Sequence, residues 1–199
     1  MSKLVVLASN NTGKITEFNA LFKDKLQFIS QKRYGVSPAT EDGQTFVENA
    51  IKKARHAAIE TDMPAVADDS GIVVYSLGGK PGVHSARFAG WQCDDRANNM
   101  KLLSDLKYYP DRRAYFVCSI VYLDYPADPH PIIATATWSG TIAEEPKGDN
   151  GFGYDCIFIP NGSNKTVAEL SPQEKNRLSH RARASLLFYK LYLNRYGDN

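Results

Sequence analysis

The sequence predicts an α/β fold in which a mixed β-sheet is flanked by helices. Three observations carry this. Leu4-Val5-Val6-Leu7-Ala8 is an unbroken apolar run, the mark of a strand buried on both faces. Turn residues follow, and then Ile15, Phe18, Leu21 and Phe22 recur at helical spacing, so the chain opens strand–loop–helix. Farther on, Arg113 to Leu123 and Ile132 to Ile142 are long stretches rich in β-branched and aromatic residues. They suit antiparallel strands, which breaks strict βα alternation and makes the sheet mixed.

The remaining elements fall in order between these. Leu26-Gln27-Phe28-Ile29 can form the second strand. Thr45 to Thr61 reads as a helix, with Phe46, Ala50, Ala54 and Ala57 on one face and Asn49, Lys53 and His56 on a neighbouring stripe. Ala65-Val66-Ala67 and Ile72-Val73-Val74-Tyr75 read as strand segments interrupted at Asp68-Asp69-Ser70-Gly71. Leu77 to Gly90 is rich in glycine and reads as loop. Asp94 to Leu106 predicts a helix, and the Pro-rich stretch from Pro126 to Pro131 joins the two long strands. Gly148 to Tyr154 is a loop before a short strand, Cys156-Ile157-Phe158-Ile159. Ser171-Pro172-Gln173-Glu174 has the form of a capping box with proline at the first helical position. Helix continues from there to about Tyr196, with a break near Ser179.

A chain of 199 residues suits one domain, or one domain with two lobes, and residues 1–199 are assigned to a single domain. The formal charge of +2 gives no general reason to expect a nucleic acid or a membrane surface as partner. Any phosphate binding must therefore come from a local site. Cys93, Cys118 and Cys156 are odd in number, widely spaced and without a CxxC pair. That argues against a disulfide scaffold or zinc ribbon, and for three buried small hydrophobes in a reducing cytosol. The apolar run after Lys3 is too short for a signal-peptide core, and no stretch approaches a transmembrane span, so a cytoplasmic location is expected.

Five clusters can carry chemistry. Ser9-Asn10-Asn11-Thr12-Gly13-Lys14 lies between a buried strand and a helix, where free N–H groups and the helix dipole suit a phosphate and Lys14 adds positive charge. It lacks the GxxxxGK[ST] spacing of a Walker loop, and a plain capped helix start would look similar. Asp68-Asp69-Ser70-Gly71 sets two adjacent carboxylates between apolar segments, which is costly unless a cation compensates them; a polar turn is the plainer reading. A magnesium ion, served by one or two carboxylates and by substrate phosphates, would compensate them. Glu41 is a further acidic point before the helix bearing Lys53. In Gly151-Phe152-Gly153-Tyr154-Asp155 the glycines let backbone approach a planar ligand on which Phe152 can stack, although a turn with core aromatics has the same pattern. Lys175, Ser179, His180 and Arg181 offer fixed donors, or a solvated helix face. His56, His84 and His130 have no ligand spacing to another His or Cys.

Taken together these segments resemble the inosine triphosphate pyrophosphatase family, the enzymes that act on XTP, dITP and other non-standard purine nucleoside triphosphates. The motifs occur in order from about Lys3 to Leu191: Ser9-x-Asn11-x-Gly13-Lys14 with Glu17; Thr45-Phe46-x-Glu48-Asn49-Ala50 through Lys53-Ala54; Ala67-Asp68-Asp69-Ser70-Gly71; Leu77-Gly78-Gly79-x-Pro81-Gly82 with Ser85-Ala86-Arg87; Gly151-Phe152-Gly153-Tyr154-Asp155; and Lys175-x-x-x-Ser179-His180-Arg181. Each is weak alone, and six in sequence order are specific. The resemblance implies a two-lobed α/β fold around a long mixed β-sheet flanked by helices, with the nucleotide cleft between the lobes, and a homodimer. It implies hydrolysis of ITP, dITP and XTP to the monophosphate and pyrophosphate with Mg²⁺. Ser9, Asn10, Asn11, Thr12, Gly13, Lys14 and Lys53 would hold the triphosphate. Glu41 and Asp69, with Asp68 adjacent, would bind the metal, and Asp69 would be the general base. Ser70 would contact substrate, while Phe152, Gly153, Tyr154, Asp155, Lys175, His180 and Arg181 would hold the base.

Overall fold

In a computed structural model of the chain, residues 2–9, 15, 18, 19, 22 and 26–197 are described. Six strands form one sheet in the order β2-β1-β3-β4-β5-β6. They are β1 Lys3–Leu7, β2 Leu26–Ser30, β3 Ala65–Val74, β4 Arg113–Leu123, β5 Ile132–Ile142 and β6 Phe158–Pro160. β1 pairs in parallel with β2 (Val5 opposite Phe28) and with β3 (Leu7 opposite Val66), whereas β5 and β6 are antiparallel. The expected α/β fold with a mixed sheet is therefore borne out. Among the described residues, the α-helices with continuous ranges are α1 Phe46–Thr61, α2 Asp95–Asp105, α3 Pro172–Leu178 and α4 His180–Tyr196. Ile15, Phe18, Asn19 and Phe22 are helical, as the early periodicity predicts; the rest of that stretch lies outside the described residues.

The helix ends follow local chemistry. Thr45 caps α1 and Ser171 caps α3, each through a reciprocal capping box with a glutamate three residues on, and Asp94 caps α2. At Ser179 the backbone turns extended (φ −65°, ψ 157°), ending α3 and starting α4 at the predicted break.

The chain divides into two compact units. The first comprises Met1–Asp69, Cys118–Ala136 and Ala184–Asn199; the second comprises Ser70–Val117 and Thr137–Arg183. β3, β4, β5 and α4 each contribute residues to both. The first unit has two apolar clusters. One gathers Phe18, Phe22, Phe28, Tyr122 and Phe188, with the Phe22 and Phe188 rings 5.0 Å apart. The other packs Ala50, Ala54 and Ala57 of α1 with Val6, Ala65 and Ala67, all fully buried. Three alanines let α1 lie close to the strands, which brings its polar stripe beside Asp69 in the middle of β3. The second unit's core gathers Ile72, Leu102, Leu106, Phe116, Trp138 and Phe158. Gly140 is required where β5 meets β6: a Cβ there would lie 2.2 Å from the carbonyl oxygen of Ile159.

Several sequence expectations need correction. β3 runs unbroken from Ala65 to Val74, so Asp68, Asp69, Ser70 and Gly71 lie inside a strand and not in an interruption. The stretch from Leu77 to Gly90 holds a 3₁₀ helix, Gly82–Arg87, and Cys156 sits in a 3₁₀ turn before β6. None of the three cysteines is in a disulfide, but only Cys118 is buried; Cys93 is exposed and Cys156 is intermediate. Cys93 takes a left-handed φ of 52° in the exposed turn before α2.

Candidate active site

In the first unit, charge collects around Lys53. Its Nζ lies 2.6 Å from Asp69 Oδ1 and 3.1 Å from Glu41 Oε1. Asn49, one turn earlier on α1 and fully buried, donates from Nδ2 to Asp69 Oδ2 at 3.4 Å. Its Oδ1 accepts the N–H of Gly43 at 2.8 Å, which tethers the Glu41-Asp42-Gly43 loop to the helix. Only glycine fits there, because a Cβ on residue 43 would meet Asn49 Oδ1 at 2.7 Å. The i, i+4 stripe of the helix thus gathers Glu41 and Asp69, residues far apart in sequence.

Asp68 and Asp69 are buried, at 4% and 8% exposure. Burial is the largest influence on Asp69 and raises its pKa; Glu41 adds to the rise and Lys53 opposes it. Burial also acts against the charge on Lys53, yet Asp69, Glu41 and Asp68 outweigh it and hold the ammonium pKa above its ordinary value. Three carboxylates face one ammonium, so the cluster carries an excess of negative charge suited to a further cation. Among the described residues no group of three or more His, Cys, Asp or Glu is arranged to hold a metal, and Lys53 lies between Glu41 and Asp69.

Ser9 follows β1. The Ala8 N–H donates to Val66 O at 2.8 Å, so two residues past the Leu7–Val66 rung the parallel strands reach Ser9 and Asp68. This is the carboxyl end of β1, the side on which open α/β sheets bind their ligands, and the middle of β3. Asn10, Asn11, Thr12, Gly13 and Lys14 lie outside the described residues.

The second unit holds a cavity of about 160 Å³ lined by Ser70, Phe116, Phe152 to Asp155, Lys175 and Ser179 to Arg181, among others. Phe152 is 61% exposed, and Lys175 Nζ stands 4.2 Å and the Arg181 guanidinium 5.9 Å from the centre of its ring. The break at Ser179 lets cations from two successive helices reach one ring. Arg181 also donates to Ser70 Oγ at 3.2 Å. His180 is buried, its ring stacked on Phe116 at 4.7 Å with 8° between planes. Tyr154 donates from its hydroxyl to Ser85 O at 2.8 Å, and burial, with Asp95 nearby, raises its pKa. Asp155 accepts the Phe152 N–H at 2.9 Å and is ion-paired with Lys175. A Cβ on Gly151 would come 2.1 Å from Asp155 Oδ2, and φ at Gly151 is +81°, so glycine is needed for this turn.

Sequence reasoning picked out Glu41, Lys53 and Asp69, which the structure brings together, and Phe152, Lys175 and Arg181, which it also brings together. Asn49 was legible as part of the helical stripe but not as the group that joins the acidic loop to Asp69.

A model of the Ham1 family matches residues 5–191. A dITP/XTP pyrophosphatase of Ralstonia nicotianae is 50% identical over 184 residues, covering 90% of this chain and 92% of its own. The structure of a HAM1 protein from Coxiella burnetii superposes with a TM-score of 0.92 at 46% identity, over 96% of this chain and 98% of that one. The Staphylococcus aureus Ham1 protein gives 0.88 at 43% identity, over 95% and 98%.

Proposed function

From the premise that the chain belongs to the Ham1 family, we propose that it hydrolyses non-standard purine nucleoside triphosphates (ITP, dITP and XTP) to the monophosphate and pyrophosphate, removing them from the nucleotide pool. It is a nucleoside-triphosphate pyrophosphatase. The observation that carries the reading is a pair of adjacent residues in β3: Asp69, bonded to Lys53 and Asn49, and Ser70, bonded to Arg181. One peptide link joins the acidic cluster to the aromatic cavity.

In this reading residues 1–199 act as one catalytic domain. Lys53, Ser9 and the segment Asn10 to Lys14 take the triphosphate. Asp69 accepts a proton from water, which attacks in line, and pyrophosphate leaves as one unit. Glu41 and Asp69, with Asp68 beside them, would hold a divalent cation, proposed as Mg²⁺; when bound it neutralises phosphate charge. Lys53 then exchanges carboxylate partners for phosphate oxygens and adds fixed positive charge at the reacting end.

Phe152 stacks on the base while Lys175, His180 and Arg181 supply donors, with Gly153, Tyr154 and Asp155 shaping the pocket. Hypoxanthine and xanthine present a 6-oxo acceptor, whereas adenine presents an amino donor. Donors aimed at that position would be left unpaired by adenine, which can reject it by roughly 10⁴-fold. Cysteines outside any disulfide suit a reducing cytoplasm, and no helix of the described residues is long and apolar enough to cross a membrane. Assembly as a homodimer completes the proposal and is read by size-exclusion chromatography.

The deciding assay incubates the protein with ITP and Mg²⁺ and identifies the products. Pyrophosphate with IMP is expected; orthophosphate with IDP contradicts the proposed bond cleavage. No product at all favours a non-catalytic nucleotide binder. A panel of dITP, XTP, GTP, ATP and modified pyrimidine triphosphates tests the substrate class.

A further inference from the structure

Phe152 is the ring on which the proposed base stacks, and at 61% exposure it has little apolar packing to hold it beyond the cations of Lys175 and Arg181. Its backbone supplies the restraint. The N–H groups on either side of its Cα each donate to a carboxylate: that of Phe152 to Asp155 Oδ2 at 2.9 Å, and that of Gly153 to Asp95 Oδ2 at 2.6 Å. The Gly153 carbonyl in turn accepts from Asn99 Nδ2 at 2.9 Å. Asp95 and Asn99 are four residues apart on α2, so they share a face one turn apart. Together they grip both hydrogen-bonding groups of one residue.

The gripping element is itself fixed. Asp94 caps α2 through the N–H groups of Arg96 and Ala97, and Leu102 farther along the helix is fully buried in the second unit's core. Asn99 is 4% exposed. Glycines at 151 and 153, both with positive φ, leave Phe152 little intrinsic stiffness, so the external bonds decide where the ring sits. Neither Asp95 nor Asn99 belongs to the motifs that pointed to function.

We propose that Asp95 and Asn99 are positioning residues for base recognition: α2 clamps Gly153 from both ends and so presets the Phe152 ring for stacking. The proposal rests on the reading that Phe152 stacks on the nucleotide base. Preorganisation of this kind lowers the ordering cost of binding, and it acts on affinity for the base, not on the chemistry at Asp69.

The test uses the full-length protein. Steady-state kinetics with ITP are measured for the wild type and for Asp95→Ala, Asn99→Ala, Asp95→Asn and Asn99→Asp, alongside melting temperatures. Inhibition by inorganic tripolyphosphate, which has no base, is measured in each. Asp95→Ala and Asn99→Ala should raise KM for ITP about tenfold with kcat held within about twofold. The tripolyphosphate inhibition constant should not change. Asp95→Asn keeps an acceptor for the Gly153 N–H and should recover most of the loss; Asn99→Asp sets an acceptor against the Gly153 carbonyl and should not. An unchanged KM in folded Asp95→Ala overturns the clamp, as does a parallel rise in KM and in the tripolyphosphate constant. If the alanine variants do not fold, the contrast between Asp95→Asn and Asn99→Asp decides in the same way. A wild type inactive on ITP sinks the functional reading, whereas an active wild type with an insensitive Asp95→Ala sinks only the clamp.

Discussion

At the scale of single residues, Asp69 has the most at stake. It must be ionised to accept a proton, and burial raises its pKa. In the metal-free protein Asp69 should therefore titrate above the usual carboxylate range, which an NMR titration of its side-chain carboxyl checks. Asp69→Asn should lose about 10²–10⁴-fold in kcat and keep much of its nucleotide affinity, which product assays and equilibrium binding measure separately. Retained turnover would remove Asp69 as the base. The acidic pair was visible in the sequence, but its setting was not. Charged side chains argue for a turn on local grounds, and the neutralising Lys53 comes from 16 positions away through tertiary packing. Cys93 shows the same limit, since composition alone suggested burial and it lies exposed in a turn.

At the scale of elements, local chemistry was the best guide. Thr45 and Ser171 each precede a glutamate at the capping-box spacing, and both helices begin where those residues say. Replacing Thr45 by alanine should cost about 1 kcal/mol, read as a fall in melting temperature of about 2–4 °C. Because α1 bears Asn49 and Lys53 in its first two turns, fraying there should also raise KM for ITP. No change in either quantity would show that packing of the alanine face alone fixes the helix. The role of α2 was illegible for the opposite reason. Asp94 to Leu106 reads correctly as a helix, but what Asp95 and Asn99 hold lies more than 50 residues downstream at Gly153.

At the scale of the whole molecule, the order of the sheet could not be read from the sequence, because β1 sits between β2 and β3 only through pairing that no local pattern encodes. The two compact units are each assembled from separated segments, and β3, β4, β5 and α4 contribute to both. Loss of one unit would leave the other with truncated strands. Denaturant unfolding should accordingly be one cooperative transition. Trp91 and Trp138 both lie in the second unit, so their fluorescence reports that unit alone, while far-ultraviolet circular dichroism reports all helices and strands. The two probes should trace the same midpoint; separate midpoints would mean that the units unfold independently. The lysine between Glu41 and Asp69 has one last consequence. It is a built-in counterion, so the acidic pocket can fold without waiting for a metal to arrive. Soaking the protein in a chelator should silence it while leaving its melting curve where it was, and adding back the salt should restore turnover within the mixing time, with no refolding lag.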